Sequence, residues 1–451
     1  MVADAKGFKN GGRSISRRET LKRLGGTAVG LLGILEARRA PAATSRPIQL
    51  RYWTWQNSAD VQNPRAVAQA EFLALFRKKN PDIELIEEVV PWQQLFQQLL
   101  QASAANRAPD VSKVLDWYTV PLAEAGAILP LDEFTQSWSA ERRNDYVYSW
   151  DDTTVEGKKY AFRHAIRPTN VMYYRTDLFA EAGFKTPPKT LKDFTAAAKA
   201  VTKGQVWGFV QSFSKADALN RFMATAPPMY WVFGSDLVDL KTGKPTFHLE
   251  AGQKIFQWHQ DMVYVHKASP AGEATMDSDT VNQMFISGTV ATTFDHSSKW
   301  PEWIKKEALQ GRLETAGMPN FADEPKPAPA NTANSWILVM PKGAKKEAAW
   351  KLIEFLQSNE SEIIDAKIGG ELPTRRSTLK DPFFQSPAAG KMLSFLNYLM
   401  ESPHPATSTK IKKLEVLKDV LADAAQQIVA NKADVKSTLA VAAQRYEAQL
   451  R

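Results

Sequence analysis

The sequence predicts an α/β protein with more than one lobe, and three observations carry that expectation. Strand and helix patterns alternate over the first 70 residues that follow an apolar leader. The 408 residues beyond that leader are too many for one hydrophobic core. A single proline-rich stretch, ADEPKPAPANT (322–332), reads as an extended surface connector between folded parts.

The elements follow in order. IQLRYWTW (48–55) has the β-branched and aromatic content of a strand, and AVAQAEFLALFRKK (66–79) has helical periodicity. IELIEEVV (83–90) reads as a second strand, WQQLFQQLLQASA (92–104) as a second helix, and DVSKVLDW (110–117) as a third strand. This strand–helix–strand rhythm predicts a largely parallel sheet covered by helices on both faces. Ligands bind such sheets at the carboxyl ends of strands. Trp53 therefore belongs to the core, whereas Trp55, at the end of the first strand, is placed for a ligand.

Residues 157–201 carry dense punctuation. A strand ending in Tyr173-Tyr174-Arg175 runs into a short helix from Asp177, Gly183 stops that helix, Pro187 and Pro188 set a turn, and Thr190 caps the next helix. The tail is helical. Leu414, Leu417, Leu421, Ala424 and Ile428 follow a 3.6-residue period, and Leu439, Ala443 and Tyr446 mark a second helix.

The leader, residues 1–43, has the parts of an export signal. A long basic head with adjacent Arg17 and Arg18 precedes the apolar run LGGTAVGLLGIL (24–35), too short to span a bilayer, and then APAA (40–43), a small-residue cleavage site. Ser-Arg-Arg-x-x-Leu-Lys resembles a twin-arginine signal, although Thr20 stands where a large apolar residue is usual, so general secretion is the alternative. The leader holds nine basic and three acidic residues. Without it, 48 basic residues face 46 acidic ones, so the +8 of the whole chain falls to about +2. That removes the support for a nucleic-acid or membrane-surface protein. With no cysteine, the exported chain has no disulfide and no thiol for a lipid anchor, and is expected free in the periplasm.

Enzyme signatures are sparse. The six histidines form no H-E-x-x-H, there is no G-x-S-x-G elbow or Walker loop, and the acids of GEATMDSDT (272–280) lack calcium-loop spacing. No metal or cofactor is expected.

Several segments, in order, resemble the family-1 bacterial extracellular solute-binding proteins that feed ABC importers. They are FRKKNPDIELI (76–86), APDVSKVLDWYTVPLAEAGAILPLDEF (108–134), residues 157–201, MFISGTVATTFDHSSKW (284–300) and AAWKLIEFLQSNESEIIDAKIGGELPTRRS (348–377). The resemblance implies a two-lobed periplasmic-binding-protein fold with a hinged cleft. It implies one lobe from 44–163 and 320–358, a second from 168–316 and 360–451, and crossings near 162–170, 316–321 and 357–361. The tail should pack on the second lobe.

The same resemblance implies a monomer that captures a sugar or oligosaccharide and delivers it to ABC permease subunits in the inner membrane. A pyranose offers an apolar C–H face to an aromatic ring and a rim of hydroxyls to planar polar groups. Carried over by position, the ligand-binding candidates are Trp55, Asp116, Trp117, Tyr118, Trp231, Asp295, His296 and Trp336. Arg163, His164 and Arg167 stand where the family usually has a proline, and could hold a carboxylate or phosphate if they point into the cleft. Two alternatives remain open: a periplasmic glycosidase or lyase, which needs only two suitably spaced carboxylates, and a binding or signalling module for a non-sugar solute.

Overall fold

Two separate sheets organise the chain. The computed structural model describes residues 46–215, 220–333, 335–401 and 407–450, so the expected export leader, 1–43, lies outside the described residues. Strand β1 (Ile48–Thr54) leads through helix Pro64–Lys79 to β2 (Ile83–Val89), and helix Leu95–Ala104 leads to β3 (Val111–Leu115). β1 pairs in parallel with both. Asn63 caps the first helix by accepting from the Arg65 amide, Pro64 occupies its first turn, and Arg77, Lys78 and Lys79 close its negative end.

The rest of this sheet departs from the parallel expectation. β4 (Ala161–Arg163) and β8 (Trp336–Val339) complete it in the order β2-β1-β3-β8-β4, and β8 runs antiparallel to both neighbours. The second sheet, of β5 (Val171–Arg175), β6 (Thr292–Asp295) and β7 (Leu313–Gly317), is antiparallel throughout, in the order β6-β5-β7. The physical reason is connectivity. A parallel neighbour needs a crossover on the same sheet, whereas β8 arrives directly from the other sheet.

The punctuation of residues 171–201 is as read. Helix Thr176–Glu181 ends before Gly183 at φ +87°, and Thr190 caps helix Leu191–Val201 by accepting from the Asp193 amide. The tail helices, Leu414–Val429 and Val435–Ala448, bury Leu417, Leu421, Ile428, Leu439 and Tyr446. They pack on helix Glu250–Tyr264, where Gln260 donates to the carbonyls of Ile428 and Ala433 and Tyr264 donates to that of Ala430. Helix Asn359–Ile364 and the turn Asp365–Gly369, at and after the expected third crossing, pack on helix Pro64–Lys79, beside the first sheet.

Two passages of the chain between the sheets, after β4 and before β8, are bonded to each other. The Thr169 amide donates to the Asn331 carbonyl at 2.8 Å, and the Asn331 amide donates to Asn170 Oδ1 at 2.9 Å. Asn170 Nδ2 donates to the Pro329 carbonyl (3.0 Å) and Tyr398 Oη (2.9 Å), while Asn331 Nδ2 donates to the Ala224 carbonyl (2.8 Å). The proline-rich stretch is therefore a surface loop only in its first half. Residues 323–326 are exposed, but Ala328 and Ala330–Ala333 are buried between the sheets.

Two buried charges give tests. Arg163, fully buried, donates to Asp116, to Asp152 at 3.3 Å and to the Thr332 carbonyl at 3.0 Å. Removing one partner of a buried network strands the others, so Arg163→Met should lower the unfolding free energy by about 3–5 kcal/mol, read as a large fall in the denaturant midpoint. Glu273 is buried with its Oε2 accepting the Gln211 amide, and burial pushes its carboxyl up to about 8 from 4.5. The native state then holds a proton that the unfolded chain releases, so this group's contribution is intact below pH 4.5 and lost as pH rises through about 8. Stability should fall by roughly 3–5 kcal/mol across that window, and melting curves of Glu273→Gln should lack that fall.

Candidate functional site: a cleft between the two sheets

A cavity of about 210 Å³ lies between the sheets, and its two walls differ in chemistry. The first sheet supplies apolar surface from strand ends: Trp55 after β1, Trp92 after β2, Leu115 ending β3 and Trp336 beginning β8. Trp55 and Trp336 stack with ring centroids 5.3 Å apart and planes 23° apart, and the Arg65 guanidinium sits 4.9 Å over Trp55.

Polar groups on elements around the second sheet form the facing wall. They are Asn220 and Arg221 at the start of helix Asn220–Trp231, Ser278, Asp279 and Asn282 on helix Ser278–Ser287, and Asp295, His296 and Lys299 after β6. Arg167, on the first passage between the sheets, closes one side.

Arg221 organises this wall. Its Nη2 donates to Asp295 Oδ2 at 2.7 Å and to Asn282 Oδ1, and its Nη1 donates to Thr293 Oγ1 at 2.9 Å. Burial would lift the Asp295 carboxyl, but Arg221 overrides it and holds that carboxyl well below the usual range. His296 Nδ1 lies 2.6 Å from Asp295 Oδ1. Burial pushes its imidazole down to about 4 against the pull of Asp295, so His296 is neutral at neutral pH. Asp295 is thus committed to its neighbours and not poised to exchange a proton.

Five of the eleven expected residues meet at this cavity: Trp55, Arg167, Asp295, His296 and Trp336. The other six do not line it. Asp116 and Arg163 are paired in the core behind β3 and β4. His164 is buried with Nε2 3.4 Å from Asp365, where burial lowers its pKa. Trp117 is buried, and Tyr118 stacks on Phe96 at 4.2 Å, with Lys418 of the first tail helix over both rings. Trp231 donates to Asp236 at 3.1 Å. All six side chains are engaged in packing or charge pairing within the fold, away from the cavity.

Sequence reasoning missed Arg65, Trp92, Asn220, Arg221, Ser278, Asp279, Asn282 and Lys299. Trp92 carried a usable signal, since it follows β2 as Trp55 follows β1. The helical residues carried none, because helix starts become cleft-facing only through tertiary packing. A larger, open concavity of about 690 Å³ over Lys215, Glu415 and Arg445 lies on the tail helices. It has no aromatic wall, and its lysine pairs with Asp419 and Asp423. Among the described residues no cluster of His, Cys, Asp or Glu could hold a metal, and no helix is long and apolar enough to cross a membrane.

Known proteins are similar in sequence and fold. A probable ABC transporter-binding protein of Deinococcus radiodurans is 25% identical over 316 residues, covering 65% of this chain and 70% of the relative. The GacH receptor of Streptomyces glaucescens, solved unliganded and with acarbose, superposes with a TM-score of 0.74 at 20% identity, covering 90% of this chain and 98% of its own. Maltose-bound MalE3 of T. maritima superposes with a TM-score of 0.74 at 21% identity, covering 89% and 100%. These likenesses establish the two-lobed periplasmic-binding-protein fold. The description bacterial extracellular solute-binding protein matches residues 58–363, and the chain belongs to that family.

Proposed function

We propose that this protein captures a saccharide in the cleft between its lobes and delivers it, without chemistry, to the permease of an ABC importer. The observation that carries this reading is the cavity's division into a stacked aromatic wall, Trp55 with Trp336, and a facing wall of amide, hydroxyl and charged side chains. A sugar ring has the same two surfaces, an apolar C–H face and a hydroxyl rim. The family, the Deinococcus relative's name and the maltose and acarbose bound by the two structural neighbours support it.

The cavity of about 210 Å³ is below the about 300–1,000 Å³ of drug-sized ligand sites, which favours one or two rings over a longer oligosaccharide. A hydrolytic reading needs a protonated carboxyl facing an ionised one. Asp295 is held ionised by Arg221, and Asp279 is exposed at the mouth, so no such division of roles arises.

In this reading the lobes are 44–163 with 320–358 and 168–316 with 360–451, and residues 359–377 are assigned to the first lobe instead. Helix Asn359–Ile364 packs on helix Pro64–Lys79, and Arg375 donates to Asp145 at 2.7 Å. The exported chain acts in the periplasm as a monomer. Ligand contacts from both lobes favour the closed arrangement, and the permease reads closure.

A thermal-shift panel of neutral mono- and disaccharides and polyols on the chain from Ala43 tests the reading, since a ligand bound only by the folded state raises Tm. A dose-dependent rise with unchanged sugar on chromatography is expected, and no rise with any saccharide, neutral or acidic, sinks it. For the sugar that binds, Trp336→Ala and Trp55→Ala should each weaken Kd by about 2 kcal/mol, roughly 30-fold, measured by calorimetry. Equal affinity in both variants would remove the aromatic wall from the site.

A further inference from the structure

Among the described residues, the cations at the cleft outnumber the acids within ion-pair distance of them. Four cations stand at the cavity: Arg65, Arg167, Arg221 and Lys299. Both terminal nitrogens of Arg221 are engaged, by Asp295, Asn282, Thr293 and the Phe294 and Ser278 carbonyls. Asp295 pairs directly with Arg221 and His296, and only its longer-range pull reaches Arg167 and Lys299.

Glu371 is the described acid within 4.0 Å of Arg65 and of Arg167, and the two guanidiniums share it. Arg65 Nη1 lies 3.9 Å and Arg167 Nη1 3.8 Å from the same Glu371 Oε1, both beyond direct hydrogen-bond length. Burial pushes the Glu371 carboxyl up against the pull of these two arginines. Arg167 also donates to Ser298 Oγ at 3.1 Å. Behind this pair, Lys113 donates to Gln56 Oε1 at 2.6 Å, and Asp365 lies by His164, so the second layer adds one cation and one acid without changing the balance.

Lys299 is half-buried on the cavity wall, and among the described residues it makes no ion pair. Burial lowers its pKa against the pull of Asp295. The remaining acid at the cavity, Asp279, is exposed at the mouth. A cation held in a partly dry site without its own counter-ion is costly to the protein alone, and that cost is recovered when a ligand brings the anion.

We propose that the solute carries an anionic group, a carboxylate or a phosphate, that sits among Arg167, Arg65 and Lys299 while its apolar face lies toward Trp55 and Trp336. An acidic sugar or a sugar phosphate has this form. The inference rests on the saccharide reading above and narrows its ligand. Two forked guanidiniums and a lysine point charge suit planar carboxylates and tetrahedral phosphates alike.

The test compares matched probes on the exported chain: glucose, glucuronate, glucose 6-phosphate and inorganic phosphate, by calorimetry at low and moderate salt. Tighter binding of glucuronate or of glucose 6-phosphate than of glucose is expected, the favoured probe separating carboxylate from phosphate. Lys299→Met should weaken the favoured acidic probe about 10- to 100-fold and weaken its salt dependence, a clearly larger loss than it causes for glucose. Arg167→Gln should act in the same direction, and a melting curve taken in parallel shows whether each variant is folded. Glucose bound as tightly as either acid, or a folded Lys299→Met and a folded Arg167→Gln that both keep full affinity for the acid, overturns the inference and leaves the saccharide reading standing. Inorganic phosphate bound as tightly as glucose 6-phosphate overturns the sugar phosphate form. Binding of none of the probes overturns both.

Discussion

Passing a polypeptide between two sheets places backbone amides and carbonyls where water cannot reach them, and everything else in this molecule follows from how those groups are satisfied. Thr169, Asn170 and Asn331 do so by bonding one passage to the other, with Ala224 and Tyr398 taking the remaining positions. The pair behaves as one strap, not two loose linkers. Arg163, at the end of β4, reaches the Thr332 carbonyl from the first sheet, so the strap is anchored to a buried ionic centre. Residues of the cleft are positioned relative to it: Arg167 lies on one passage, and Trp336 begins the strand that ends the other.

The cleft then shows a division of labour. One sheet contributes flat apolar surface, the other contributes donors, acceptors and charge. A ligand meeting only one wall gains only part of the available interaction, which in the proposed function is the physical basis for coupling binding to closure. Shifting a mostly open population decisively takes roughly 5 kcal/mol of preference for the closed form. Stacking is worth about 0.5–1.5 kcal/mol beyond area burial, so the polar wall has to supply most of the difference.

Much of the fold was legible because local chemistry and tertiary role agreed. The first strands and helices, the Gly183 stop, the Thr190 cap and the tail periodicity all match. The antiparallel β8 was not legible, since a four-residue apolar run says nothing of its direction. The buried half of 322–332 was misread because Pro and Ala alternate equally well in an exposed connector and in a narrow passage. At the site, rings at strand ends were the readable part, and Trp55 and Trp336 reached the cavity. Asp116 and Asp295 look alike in sequence, each following a strand, and both end in a pair with an arginine, but one lies in the core and one on the cleft wall. Arg163 and Arg167 differ by four residues and a similar change of environment. Only the three-dimensional arrangement separates such twins.

Strand order has a consequence for how the chain folds. β4 joins the first sheet solely through β8, and β8 lies more than 170 residues further along, beyond the whole of the second sheet. Closing that gap costs loop entropy before any sheet contact rewards it, which slows folding. During synthesis at about 5–20 residues per second, the first lobe cannot complete itself until β8 has been made. The first sheet thus stays incomplete through most of the chain's synthesis because of its topology alone.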